Sequence, residues 1–277
     1  MQDMIKKESS VTLLFFSTLL ILAACSHNAY QATNKVYKKQ AKKFAKLLNE
    51  YPLKDSVGLN YTSRWVGSTN FSMRRPNFVI IHHTAQNSCD QTLETFTITR
   101  TQVSAHYVIC RDGTVHHMLN DLLRAHHAGV SKWGNTTDLN SSSIGIEIDN
   151  NGSENFTDAQ MNSLLLLLDR LKKAYNIPQT NFIGHADVAP GRKVDPSRYF
   201  SWKTLADKGF GYWFDTTYVK VPDDFNALQA LRIIGYNISK PEIAIQSYKI
   251  HFVPQDTINI IGETDKKILV DLMKKYQ

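Results

Sequence analysis

Between Ser143 and Asp149 the chain alternates without a slip. Ile144, Ile146 and Ile148 hold one parity; Gly145, Glu147 and Asp149 hold the other. Successive side chains of a strand point to opposite faces, so this segment predicts a strand with an isoleucine face and a polar face. It commits the fold to a sheet with a core behind it. It also aims Glu147 away from that core, toward a face that can hold chemistry. A second strand is predicted over Asn77 to His82, an apolar run rich in β-branched residues and bounded by Pro76. A third spans Asn181 to His185. His82 and His185 each close a strand, where loops begin and the sites of open α/β sheets sit.

The other elements follow from local signals. Asp90 to Gln102 is a candidate helix with Leu93 and Phe96 facing inward, weakened by its threonines. Ala105 to Cys110 and Thr114 to Met118 flank Arg111-Asp112-Gly113, and Asp-Gly between two such runs predicts a hairpin. Thr157 and Gln160 form a capping box, with Phe156 and Met161 set for a hydrophobic staple, and the helix runs through Leu164 to Tyr175, before Pro178. Strands interleaved with helices, plus one hairpin, predict an α/β fold: a mixed sheet flanked by helices. Residues 216–277 are expected to form a small three-helix domain. Phe225, Leu228, Leu231 and Ile234 keep helical spacing up to Gly235, Pro241 opens a second helix, and Ile268, Leu269, Leu272 and Met273 sit in a third.

The N-terminus is informative in another way. Val11 to Ala23 is apolar but for Thr12, Ser17 and Thr18, and it ends in Leu22-Ala23-Ala24-Cys25. Thirteen residues suit a signal-peptide core and are too few to span a bilayer. Small residues before a Cys resemble the signal of bacterial lipoproteins. That resemblance implies cleavage after residue 24, lipidation of Cys25 and, with Ser26 next, sorting to the outer membrane, facing the periplasm. Residues 25–58 then form a lipidated N-terminus and tether. They hold Lys35, Lys38, Lys39, Lys42, Lys43 and Lys46, much of the formal net charge of +7. Val36, Phe44, Leu47 and Leu48 fall among these lysines at roughly helical spacing. Two readings stay open: a solvated tether, or a basic helix on anionic lipid or wall polymer. Nucleic acid is not an expected partner for a lipoprotein. An oxidising compartment permits a Cys89–Cys110 disulfide, which spacing alone does not decide.

Ten histidines include the adjacent pairs His82-His83, His116-His117 and His126-His127. Neighbours in a strand face opposite ways, so at most one of a strand pair reaches a shared site. Two imidazoles, a carboxylate ligand, a second carboxylate as base and a lysine are what zinc-assisted hydrolysis needs. In order, the chain carries Ile81-His82-His83-Thr84-Ala85, Ser104-Ala105-His106-Tyr107, Arg111-Asp112-Gly113-Thr114, His127-Ala128-Gly129, Leu139-Asn140, Ser143-Ile144-Gly145-Ile146-Glu147, and Gly184-His185 through Asp195-Pro196. This pattern resembles the zinc-dependent N-acetylmuramoyl-L-alanine amidases of type 2, relatives of peptidoglycan recognition proteins and phage amidases. With the lipidation signal and the C-terminal unit, it is similar to the outer-membrane lipoprotein amidases.

The resemblance implies the type 2 amidase fold over residues 59–215 and a peptidoglycan-binding domain over 216–277. It implies one zinc ion per chain on His82, His185 and Asp195, with His82 preferred over His83. Glu147 is then the general base, Lys193 the cation that stabilises the oxyanion, and His127 a substrate-side residue. Phage relatives place Cys where this chain has Asp195 and Tyr where it has Ala105, which favours a mechanism built on Glu147. The expected substrate is peptidoglycan or its muropeptides, cut between N-acetylmuramic acid and L-alanine, by a monomer. The alternative is a non-catalytic wall-binding receptor or tether, which would have lost a ligand or the base; none is missing. A serine hydrolase lacks a Gly-x-Ser-x-Gly, and Cys89 has no evident base.

Overall fold

The computed structural model describes residues 28–49, 67–73 and 75–277. The signal segment and Cys25 lie outside them, as does most of the stretch around the expected boundary at residue 59. In chain order the helices and strands are α1 (Gln31–Asn49), β1 (Phe78–His83), α2 (Cys89–Thr97), β2 (Tyr107–Ile109), β3 (Val115–His117), α3 (Leu139–Ser142), β4 (Ser143–Ile148), α4 (Asp158–Tyr175), β5 (Phe182–Gly184), α5 (His185–Val188), α6 (Trp202–Ala206), α7 (Ala227–Ile234), α8 (Pro241–Phe252) and α9 (Glu263–Tyr276). Residues up to 70 form one compact unit and residues 71–277 another. The first contributes α1, a helix in which no residue is buried. Much of the segment expected as a tether is therefore helical.

In the second unit the five strands run β3-β2-β4-β1-β5. Only the β2–β3 pair is antiparallel. That pair is the hairpin expected from Asp112-Gly113, with Gly113 at φ +84° and Cys110 N donating to Thr114 O. The mixed sheet flanked by helices is the architecture the periodicity predicts.

The parity argument becomes packing. Val79 and Ile81 of β1 lie with Ile144, Ile146 and Ile148 of β4 in one cluster, covered by Leu164, Leu167, Leu168 and Leu171 of α4. Thr157 caps α4: its hydroxyl accepts from Gln160 N and the Gln160 side chain accepts from Thr157 N. Phe78 and Ile80, on the other face of β1, belong to a second cluster with Ala230, Leu231 and Ile234 of α7, Tyr248 and Phe252 of α8, and Ile268, Leu269 and Leu272 of α9. The three C-terminal helices form where their spacing puts them, α7 ending at Gly235 (φ +134°) and α8 opening on Pro241. Yet they share an apolar core with the sheet, although local spacing had suggested a unit of their own.

Cys89, the first residue of α2, is bonded to Cys110 after β2, with Cα atoms 5.3 Å apart. This closes the alternative left open by the sequence and removes Cys89 as a free nucleophile. The bond spans 21 residues, and a loop of that size is worth about 3 kcal/mol of stability in the chain-entropy account. Replacing both cysteines by serine is expected to lower the denaturation midpoint accordingly. An unchanged midpoint would show that the bond does not constrain the unfolded chain.

Candidate active site

The site lies at the carboxyl ends of β1, β4 and β5. In the parallel ladder His82 of β1 sits opposite Glu147 of β4, so both project from the same face. They stand just past the point where Phe78 and Ile80 enter the C-terminal core. β5 ends at Gly184, and His185 follows as the first residue of α5. The loop after α5 turns Asp195 back, its carbonyl accepting from Ala186 N at 2.7 Å. These local geometries bring three atoms together. His82 Nδ1 is 2.9 Å from His185 Nδ1 and 3.1 Å from Asp195 Oδ2, and His185 Nδ1 is 3.0 Å from the same oxygen. His83 points to the opposite face, where its Nδ1 accepts from Ser197 N.

The hydrogen bonds behind the cluster fix the tautomers. Ser143 Oγ donates to Leu139 O, so it accepts from His127 Nε2 at 3.2 Å. His127 Nδ1 then has a lone pair and accepts from His82 Nε2 at 3.0 Å. His82 Nδ1 is left unprotonated. His185 Nε2 lies 3.2 Å from Ala128 O and 3.4 Å from Arg192 Nη2; when it donates to the nearer carbonyl, its Nδ1 is bare as well. Two imidazole lone pairs and a carboxylate oxygen thus converge with no proton to separate them. Such a set repels itself unless a cation sits among it. Two nitrogens and one oxygen are a set that zinc takes, with a fourth position open. The residues fit the metal that the motifs imply.

Charge states agree. Burial first, then neighbouring His185, lowers the His82 pKa to about 4 and keeps it neutral. Glu147 is pushed up to about 8, by burial first and by Asp195 second, with Lys193 pulling the other way. A divalent cation would pull in the same sense as Lys193. Glu147 Oε1 lies 4.0 Å from His82 Nδ1, and Oε2 is buried with no hydrogen-bond partner among the described residues. Kept ionised by such a cation, a carboxylate oxygen buried without a partner and facing a reaction space is a proton acceptor held ready. A cavity of about 340 Å³ opens over this face, lined by His82, Glu147, His185, Lys193 and Asp195, with Thr92, Thr95 and Phe96 of α2 as a wall.

His127, expected on the substrate side, has both ring nitrogens engaged by protein groups, His82 and Ser143. It borders the cavity, and through the first of these contacts it also orients His82. Other contributors carried no role in the sequence reading. Asn140 Oδ1 accepts from both His127 N and Ala128 N, which fixes the loop behind both imidazoles. Gly145 leaves room for His127: a Cβ there would fall 2.4 Å from the His127 Cγ. Asp187, two residues after His185, is buried and accepts from Gly184 N, Tyr236 Oη and His251 Nδ1, each at 2.8 Å. Trp202 stacks on His251 at 4.0 Å. The turn that carries His185 is therefore held by side chains of the C-terminal helical region. The motifs Leu139-Asn140, Ser143-Ile144-Gly145 and Gly184-His185-Ala186-Asp187 were the sequence signals for these groups.

A mixed sheet with a His, His, Asp cluster that could hold a metal ion, and a partly buried glutamate beside it at the strand ends, has the parts of a metal-assisted hydrolase. Residues 72–198 match the family model described as N-acetylmuramoyl-L-alanine amidase. AmiD of Escherichia coli K12 is 32% identical over 235 residues, covering 73% of this chain and 84% of AmiD. The 1,6-anhydro-N-acetylmuramyl-L-alanine amidase AmpD of Haemophilus influenzae is 41% identical over 103 residues, 37% of this chain and 56% of AmpD. Among solved structures, E. coli AmiD in complex with the substrate anhydro-N-acetylmuramic acid-L-Ala-D-gamma-Glu-L-Lys superposes with a TM-score of 0.66 at 27% identity, covering 80% of this chain and 97% of that one. AmpDH3 of Pseudomonas aeruginosa superposes with a TM-score of 0.68 at 26% identity, covering 79% and 99%. The chain belongs to the N-acetylmuramoyl-L-alanine amidase family.

Proposed function

We propose that this chain hydrolyses the amide between the lactyl group of N-acetylmuramic acid and the L-alanine of the stem peptide, in peptidoglycan or its muropeptides. The observation that carries the reading is the convergence of His82 Nδ1, His185 Nδ1 and Asp195 Oδ2 beside the unsatisfied Glu147 carboxylate. Zinc held by those three atoms would polarise the scissile carbonyl and bring the pKa of the attacking water to about 7. Glu147 takes a proton from that water as its oxygen bonds to the carbonyl carbon. Lys193 stands on the cavity wall, where a cation stabilises negative charge developing on the carbonyl oxygen. Glu147 then returns the proton to the alanine nitrogen as the C–N bond breaks. The products are a muramic carboxylic acid and a free peptide amine.

The test is mass spectrometry of products from purified peptidoglycan. A free stem peptide beginning with L-alanine is the expected product; cleavage anywhere else overturns the assignment. Separate Ala replacements of His82, His185 and Asp195 are expected to cut zinc content from one per chain to well below it, read by metal analysis after dialysis. Full zinc in any one variant would remove that residue from the set.

The proposal extends to location. The Leu22-Ala23-Ala24-Cys25 sequence supports an acylated Cys25 that anchors the enzyme to the outer membrane, facing the periplasm. Cys25→Ala is expected to abolish incorporation of a labelled fatty acid; retained label would move the anchor elsewhere. Residues 216–277 would hold wall polymer beside the cleft, on their resemblance to peptidoglycan-binding domains.

A further inference from the structure

Helix α1 belongs to none of the machinery above, and its composition is unusual. Over Gln31–Asn49 it has six lysines and no Asp or Glu. At 3.6 residues per turn the six lysines fall within an arc of about 140°. Val36, Tyr37, Ala41, Phe44, Leu47 and Leu48 fall within the facing arc of about 140°, with Thr33 and Gln40 as its polar members. None of these side chains is buried, and Leu48 is 71% exposed. A helix whose two faces are this well sorted, yet which packs neither, has its partner outside the described residues.

We infer that α1 lies flat on an anionic phospholipid surface, its apolar arc in the acyl boundary and its lysines among the headgroups. The chemistry selects this partner. An anionic wall polymer would pair the lysines but leave Val36, Phe44, Leu47 and Leu48 in water. A bilayer satisfies both faces at once, which is the signature of an interfacial amphipathic helix. The helix does not cross the membrane: six charges in 19 residues forbid it. An acylated Cys25 and a basic amphipathic helix beside it would be two separate membrane signals. Gln31 follows Cys25 by only a few residues, so both would act on the same patch of lipid. The lipid contact of α1 stands without the acyl chain, and its test omits that chain.

The experiment uses residues 26–277, unlipidated, and cosedimentation with vesicles of phosphatidylcholine alone or mixed with phosphatidylglycerol. Two double variants separate the faces: Lys38→Glu with Lys42→Glu, and Phe44→Asp with Leu48→Asp. The unsubstituted protein is expected to bind the phosphatidylglycerol vesicles and to release as salt rises. Each double variant should weaken partitioning by at least about tenfold, while hydrolysis of a soluble muropeptide stays unchanged. Equal binding to both vesicle types, or binding kept when the apolar arc is broken, overturns the inference. So does retention on purified sacculi without vesicle binding, which assigns the lysines to wall polymer. Self-association abolished by the Phe44 and Leu48 variant, again without vesicle binding, would assign the apolar arc to a second copy of this chain.

Discussion

Glu147→Gln is expected to keep the fold and the zinc and to lose about 10²–10⁴-fold in turnover, the usual worth of a positioned general base. The amide is nearly isosteric, so the packing of β4 against β1 survives. It cannot accept a proton from water. In the native site the carboxylate is nearly buried, with Oε2 unsatisfied, so no neighbour stands ready to substitute. The loss should fall on kcat and on kcat/KM alike, because proton transfer occurs in the transition state. Metal analysis and single-turnover rates on a soluble muropeptide check both halves. A variant within a few-fold of the parent would take the base role from Glu147.

Truncation before Val219 is expected to abolish activity on intact sacculi and on soluble muropeptide together. Leu231, Ile234, Tyr248, Phe252, Leu269 and Leu272 would leave a cluster that they share with Phe78 and Ile80 of the sheet. Deleting one large buried side chain typically costs about 2–5 kcal/mol. Losing several exceeds the roughly 5–15 kcal/mol that holds a whole domain together. The same cut strips Tyr236 and His251 from Asp187, two residues after His185. Thermal unfolding and rates on both substrates check this. A truncated chain that still turns over the soluble substrate at nearly the parent rate would make the shared core dispensable.

The catalytic face was legible because strands write their two faces into alternate positions. The parity of Ile144 to Asp149 aimed Glu147 correctly, and strand ends nominated His82 and His185. Capping chemistry at Thr157 and Asp-Gly at residues 112 and 113 marked local structure that formed as expected. What local patterns do not carry is partnership at a distance. Asp187 meets groups 49 and 64 positions away, and His127 meets Ser143 and His82 across three segments. Spacing alone could not show that His127 orients His82 as well as bordering the cavity. The C-terminal helices were visible, but their shared core was not: an apolar helix face looks the same whether it meets its own unit or a sheet.

The missing side chain at Gly145 has a genetic consequence. His127 rests where a methyl group would stand, and His127 in turn sets which nitrogen of His82 carries the proton. A substitution as small as Gly145→Ala therefore reaches the cluster of His82, His185 and Asp195 through two rings, without lying in the cavity itself. In a screen for inactive alleles, this position should score with His82, His185 and Asp195, and a suppressor would be sought at residue 127 or 143 rather than in the cavity.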